Sequence, residues 1–150
     1  MSKKTVISLF FLFLLPVILY FLWPSDESRI KKIFREGARA IEQENIEEVM
    51  GKVSFNYRDD YGLSYLYIKE GMERVFHKMS DIKIEYENLN IVVKEKTATA
   101  EVDVRVVATI GSETGYIIGD LPNPVHMKFT LEKERTKWLV TKLEGLPVWW

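Results

Sequence analysis

The chain has 150 residues, 21 of them basic and 22 acidic, and no cysteine. A net charge of −1 argues against binding nucleic acid through a basic surface, and the lack of thiols excludes disulfides, zinc thiolates and a lipidated cysteine. With 47% hydrophobic and 13% aromatic residues the chain is too apolar for disorder. Its length suits one domain beside a membrane segment.

Residues 5–23 read TVISLFFLFLLPVILYFLW, without a charge. As a helix rising about 1.5 Å per residue, this run covers roughly 28 Å, close to the ~30 Å hydrocarbon core of a bilayer. Val6, Phe11 and Leu15 lie inside the run, while Tyr20 and Trp23 stand where an aromatic belt belongs. Pro16 is a kink that membrane helices tolerate. The run exceeds the apolar core of a signal peptide, and residues 21–25 (FLWPS) lack a small-residue cleavage pattern. The expectation is therefore a retained single-pass anchor over residues 1–24, followed by a domain over 25–150. Lys3 and Lys4 precede the run, whereas Arg29, Lys31, Lys32 and Arg35 follow it. The N-terminal pair is read as holding the short tail in the cytoplasm, with the domain outside.

Beyond Pro24, Ser25 is placed to cap a helix, with Asp26 and Glu27 in its first turn. Ile30, Ile33, Phe34, Ala38 and Ile41 give it an apolar stripe. The basic residues beside that stripe read as a solvated face before they read as a lipid contact. A short helix follows from Asn45, with Glu48 completing a capping box and Gly51 ending it. Ser64 is expected to cap a third helix carrying Ile68, Met72, Val75, Phe76 and Met79.

From residue 82 the period becomes two. Ile82, Ile84 and Tyr86 alternate on one parity and Leu89, Ile91 and Val93 on the other, so a bulge is expected near Glu87 and Asn88. Residues 94–97 turn the chain, and Ala98, Ala100, Val102, Val104 and Val106 then face inward. A short strand is expected at 116–118. Another carries Val125, Met127, Phe129 and Leu131 inward, and a last one covers 137–143. Helices followed by an antiparallel meander predict an α+β fold, with the helices across one face of a curved sheet.

This order of elements resembles the nuclear transport factor 2-like superfamily, whose cystatin-like cone also serves ketosteroid isomerases and polyketide cyclases. Three phrases carry the resemblance: Tyr57-Arg58-Asp59-Asp60-Tyr61-Gly62, Thr97-Ala98-Thr99-Ala100-Glu101-Val102, and Leu131-Glu132-Lys133-Glu134 with Lys137-Trp138-Leu139-Val140. It extends over residues 28–146 and implies a pocket between helices and sheet. Tyr57, Tyr61, Tyr65, Val102, Val104, Met127 and Phe129 are the expected lining. The superfamily holds enzymes and binding modules alike, so the resemblance assigns no activity.

Asp59 and Asp60 are the candidate proton carriers, set against a structural reading in which a turn carboxylate accepts backbone N–H groups. The inward strand positions are apolar and cannot move a proton. His77 and His126 have no ligand partners at metal spacing, so neither a metal nor another cofactor is expected. The leading expectation is a membrane-tethered, non-enzymatic domain that binds a protein partner or an apolar ligand. The alternatives are an isomerase- or cyclase-like enzyme using a pocket carboxylate, and a structural domain of an envelope assembly. Charged outward positions on the strands predict a monomer. Trp149 and Trp150 are a further candidate contact for a partner.

Overall fold

The computed structural model describes residues 3–147, with side-chain environments from Val6 onward. Four helices, α1 (Lys3–Leu22), α2 (Asp26–Glu42), α3 (Ile46–Met50) and α4 (Tyr65–Lys78), precede five strands. The strands are β1 (Met79–Lys94), β2 (Thr97–Ile110), β3 (Glu113–Ile118), β4 (Val125–Glu134) and β5 (Lys137–Glu144). Trp149 and Trp150 lie outside the described residues.

Helix α2 begins as its sequence dictates. Ser25 Oγ accepts from Ser28 N at 3.1 Å, and Asp26 and Glu27 sit at the positive end of the helix dipole. Ile30 is completely buried, with Ile33 and Phe34 packed on the same cluster. Ala40 is completely buried as well, although it was not on the expected stripe. It follows Ile33 by seven residues and shares its face, but an alanine beside Arg39 carries little hydrophobic signal.

At α3, Asn45 Oδ1 accepts from Glu48 N at 3.2 Å, which is one half of the expected box. The other half does not form, because Asn45 N is already bonded to Ala40 O at 2.9 Å. The Glu48 carboxylate turns instead to the Asn45 side-chain amide, at 3.5 Å. Gly51 ends α3 in a right-handed conformation, φ −63°, so its freedom at positive φ is not used. Ser64 is the N-cap residue of α4, as expected, and is extended, but its side chain forms no capping bond. Of the α4 residues only Gly71 is buried, so the expected apolar stripe of this helix is half-covered.

The sheet is antiparallel, in the order β1-β2-β4-β5, with β3 also paired to β2. Strand β2 is its spine. Ala98, Ala100, Val102, Val104, Val106 and Ala108 are all buried, while the residues between them face the other side. Strand β1 breaks register between Glu87 and Asn90, where Asn88 takes φ 56°, at the expected bulge. A second break between Ser80 and Lys83, with Asp81 at φ 50°, was not expected. Strand β3 begins at Glu113 rather than at residue 116, pairing with Ile110 and its neighbours on β2. The outer edge of β5 is covered by an incoming segment. Ser54 N donates to Val140 O at 2.9 Å, Val140 N to Lys52 O at 2.9 Å, and Arg58 N to Thr141 O at 3.1 Å, which protects the edge from pairing with another chain.

Two apolar clusters fill the concave side. One gathers Ile30, Tyr57, Ala98, Ala100, Leu131, Trp138 and Val140; the other gathers Ile82, Val102, Val104, Val106, Ala108 and Met127. A polar joint closes the first cluster at the start of α2. Asp26 Oδ1 accepts from Trp138 Nε1 and from Lys133 Nζ, each at 2.9 Å. These two donors, the indole first, hold the Asp26 carboxyl below its ordinary value near 3.8. Thus the Lys-Glu-Arg-Thr-Lys-Trp turn joins the sheet to the first turn of α2.

Candidate functional site

The loop before α4 is organised around Asp59, which is 8% exposed. Its Oδ2 accepts from the Tyr57 hydroxyl at 2.9 Å, and its Oδ1 accepts from Tyr61 N and Leu63 N, each at 3.0 Å. Gly62, at φ +80°, lets the chain reverse so that both amides reach one oxygen. Burial, and then the bond to the Asp59 carboxylate, push the Tyr57 phenol well above its ordinary value of 10.0, so it stays a neutral donor. Both oxygens of Asp59 are therefore engaged by the protein itself.

Asp60 points the other way. It is exposed and pairs with Lys142 Nζ at 2.9 Å. That bond, with help from Glu144, raises the Lys142 ammonium above its ordinary value. Tyr61 is 49% exposed, and Tyr65 packs against Phe55 with ring centroids 4.5 Å apart.

The structure places the expected lining residues in different surroundings. Tyr57 is buried in the first cluster, and Val102, Val104 and Met127 are buried in the second. Phe129 meets Phe34 of α2 edge-to-face, centroids 4.9 Å apart, which places aromatic mass between helix and sheet. Two surface depressions lie elsewhere. One, of about 490 Å³, runs along α4 beside Glu70, Glu73, Arg74, His77 and Lys78. The other, of about 200 Å³, sits at the β2–β3 hairpin beside Ala108, Ile110 and Tyr116.

The outer face of the sheet carries a polar network. His126 Nδ1 lies 2.8 Å from Asp103 Oδ1, and Asn88 Nδ2 donates to Asp103 Oδ2 at 2.8 Å. Asn88 and His126 together hold the Asp103 carboxyl below its ordinary value. Arg105 bridges Glu87 at 3.1 Å and donates to the carbonyls of Asp120 and Leu121. Opposed charges across β2 and β4 could be foreseen from parity. The part of Asn88 could not, since it depends on the left-handed bulge that turns its side chain onto β2. Among the described residues no three His, Asp or Glu side chains gather as a metal site would need.

Helix α1 contrasts with all this. Its apolar side chains between Val6 and Leu22 are exposed, from 37% at Leu14 to 81% at Phe21. Among the described residues no single helix is long and apolar enough to cross a membrane. Val6–Leu22 passes only together with Asp26–Glu42, the two bent by 46°. The apolar content of that pair belongs to the first member, because α2 carries nine charged residues in its DESRIKKIFREGARAIE sequence.

No protein-family model and no curated protein sequence matches the chain. Solved structures do. An NTF2-like protein with a cystatin-like fold from Novosphingobium aromaticivorans matches at TM-score 0.63 and 13% identity, over 87% of this chain and 85% of its own. A protein of unknown function with a cystatin-like fold from Nostoc punctiforme matches at TM-score 0.62 and 15% identity, over 79% and 87%. A proposed scytalone dehydratase, also from Novosphingobium aromaticivorans, matches at TM-score 0.64 and 12% identity, over 81% and 87%. These similarities carry the fold and leave the activity open. The chain has the cystatin-like α+β fold of NTF2-like proteins.

Proposed function

We propose that the chain is a membrane-tethered, non-enzymatic domain that binds a protein partner, with α1 as the anchor and the domain outside the cytoplasm. The observation that carries this reading is α1, a helix whose apolar side chains find no cover in the domain. Such a surface is stable in lipid and costly in water, at about 25 cal/mol for each Å² of apolar area. The apolar part of α1, Val6–Leu22, covers about 26 Å at roughly 1.5 Å per residue, the short end of what spans a bilayer core.

The choice of partner over substrate rests on two further observations. Asp59, the better candidate for moving protons, is occupied by three internal donors. The loop and first turn of α4 meanwhile expose Phe55 (81%), Tyr61 (49%), Leu66 (61%) and Tyr67 (60%), an apolar surface of the kind that marks interaction sites. The apolar-ligand reading is retained because the concave side is apolar, although Phe34 and Phe129 stand in it.

Native mass spectrometry of the full chain, purified with a paired Phe55→Ser, Tyr67→Ser variant, tests the proposal. The expected result is a co-purifying protein that is lost from the variant at unchanged melting temperature. A bound small molecule in both forms points to the ligand reading. A turnover abolished by Asp59→Asn without loss of stability overturns the proposal. Protease accessibility in intact spheroplasts tests the side of the membrane, and a protected domain would reverse it.

A further inference from the structure

Resting on the anchor reading, we propose that the end of the sheet nearest α1 docks on anionic phospholipid headgroups through two basic turns, residues 94–96 between β1 and β2 and residues 135–137 between β4 and β5. Three residues separate Leu22 at the end of α1 from Asp26 at the start of α2. Asp26 grips Lys133 and Trp138. Arg29 Nη1 donates to Thr136 O at 3.4 Å, and its guanidinium lies 5.8 Å from the centre of the Trp23 ring. Lys133 N donates to Lys96 O at 2.8 Å. Both turns therefore stand beside the point where the anchor leaves the bilayer.

Lys94, Lys96, Arg135 and Lys137 are exposed, and among the described residues none of them forms an ion pair. The bases on α2, which the sequence alone offers for lipid contact, are partly spent: Lys31 pairs with Glu27 and Lys32 with Glu36. The acids at this end are Glu95 and Glu132, which are exposed, Glu27, which pairs with Lys31, Glu134, which accepts from Ser54, and Asp26.

The opposite end of the sheet is acidic. Glu42, Glu44, Glu47 and Glu48 gather where α2 meets α3, with Asp81 and Glu85 on β1, against Arg39, Lys78 and Lys83. Glu42 Oε1 accepts from Ile84 N at 2.9 Å, ten positions along β1 from Lys94. A negative surface draws the basic end and repels the acidic one, while the short tether keeps the basic end within reach. The contact needs only anionic headgroups and so does not depend on which leaflet the domain faces.

The absence of cysteine permits single-site labelling. Full chains carrying Thr136→Cys, in the β4–β5 turn, or Ser112→Cys, beyond β2, are labelled with a fluorophore. They are reconstituted into vesicles containing a headgroup nitroxide quencher, made of phosphatidylcholine alone or of an equal mixture with phosphatidylglycerol. Quenching at position 136 should rise about threefold or more in the mixed vesicles and not at position 112. The rise should vanish with Lys96→Glu and Arg135→Glu together, or at about 1 M salt, where screening acts within about 3 Å. Equal quenching at position 136 in both vesicles, or a rise that survives the paired substitution, overturns the contact. A chain that floats with neither vesicle overturns the anchor reading beneath it, which is a different result from a floating chain without contrast.

Discussion

Asp59 and Asp60 are adjacent carboxylates with opposite surroundings, and their substitutions should separate. Asp59→Ala leaves a buried hydroxyl and two backbone N–H groups without an acceptor, so stability should fall by about 1–3 kcal/mol in urea unfolding. Asp60→Asn removes an exposed partner of Lys142 and should leave the melting temperature in place. Asp26 gives a pH test. Its carboxyl is held low in the folded chain by Trp138 and Lys133. The stability it contributes is therefore present above the unfolded value near 3.8 and lost as pH falls below that value through the lower folded one. Asp26→Asn should flatten the decline in stability below about pH 4 and lower the melting temperature at neutral pH. An unchanged acid limb would mean that the joint between α2 and the sheet is not made through this carboxylate. Neither part of the Asp26 joint is apparent from spacing, because its partners lie 107 and 112 residues away.

At the scale of elements, the strands were the most legible part of the sequence and the caps the least. The strict alternation on β2 leaves one register for its neighbours, and the observed pairs Glu101 with Lys128 and Asp103 with His126 follow from parity. The bulge at Asn88 was visible as a change of parity, whereas the one at Asp81 was hidden at the junction of α4 and β1, where the helical and extended periods overlap. Ser64 shows the limit of capping rules, since the right residue in the right backbone state still made no bond. The concave site was less legible than the sheet, because residues that share inward parity can pack into clusters as readily as they can line a space. The outer face of β2 and β4 leads to a prediction about assembly. Burying Asp103, His126, Arg105 and Lys128 in a dimer would strip water from several charges at a cost their exposed pairs, worth about 0.2–1 kcal/mol each, could not offset. We expect residues 25–150 to sediment as a monomer at micromolar concentration. A salt-resistant dimer that dissociates on Val107→Asp would show instead that this face pairs.

For the molecule as a whole, two parts meet their surroundings differently. From Asp26 onward the chain satisfies itself: among the described residues no buried side-chain nitrogen or oxygen lacks a hydrogen-bond partner. Helix α1 does the reverse, presenting Val6, Phe11, Leu15 and Tyr20 outward with nothing from the domain against them. One α+β unit carrying an uncovered apolar helix is the arrangement expected of a tether, and the docking of the basic turns and the search for a partner both depend on it. The most direct test is alkaline carbonate extraction of membranes from cells making the chain, followed by intact-mass measurement of the retained protein. The chain should stay with the membrane, and its mass should include residues 1–24. Release into the supernatant, or a mature chain that starts at or after Pro24, would contradict the anchor reading.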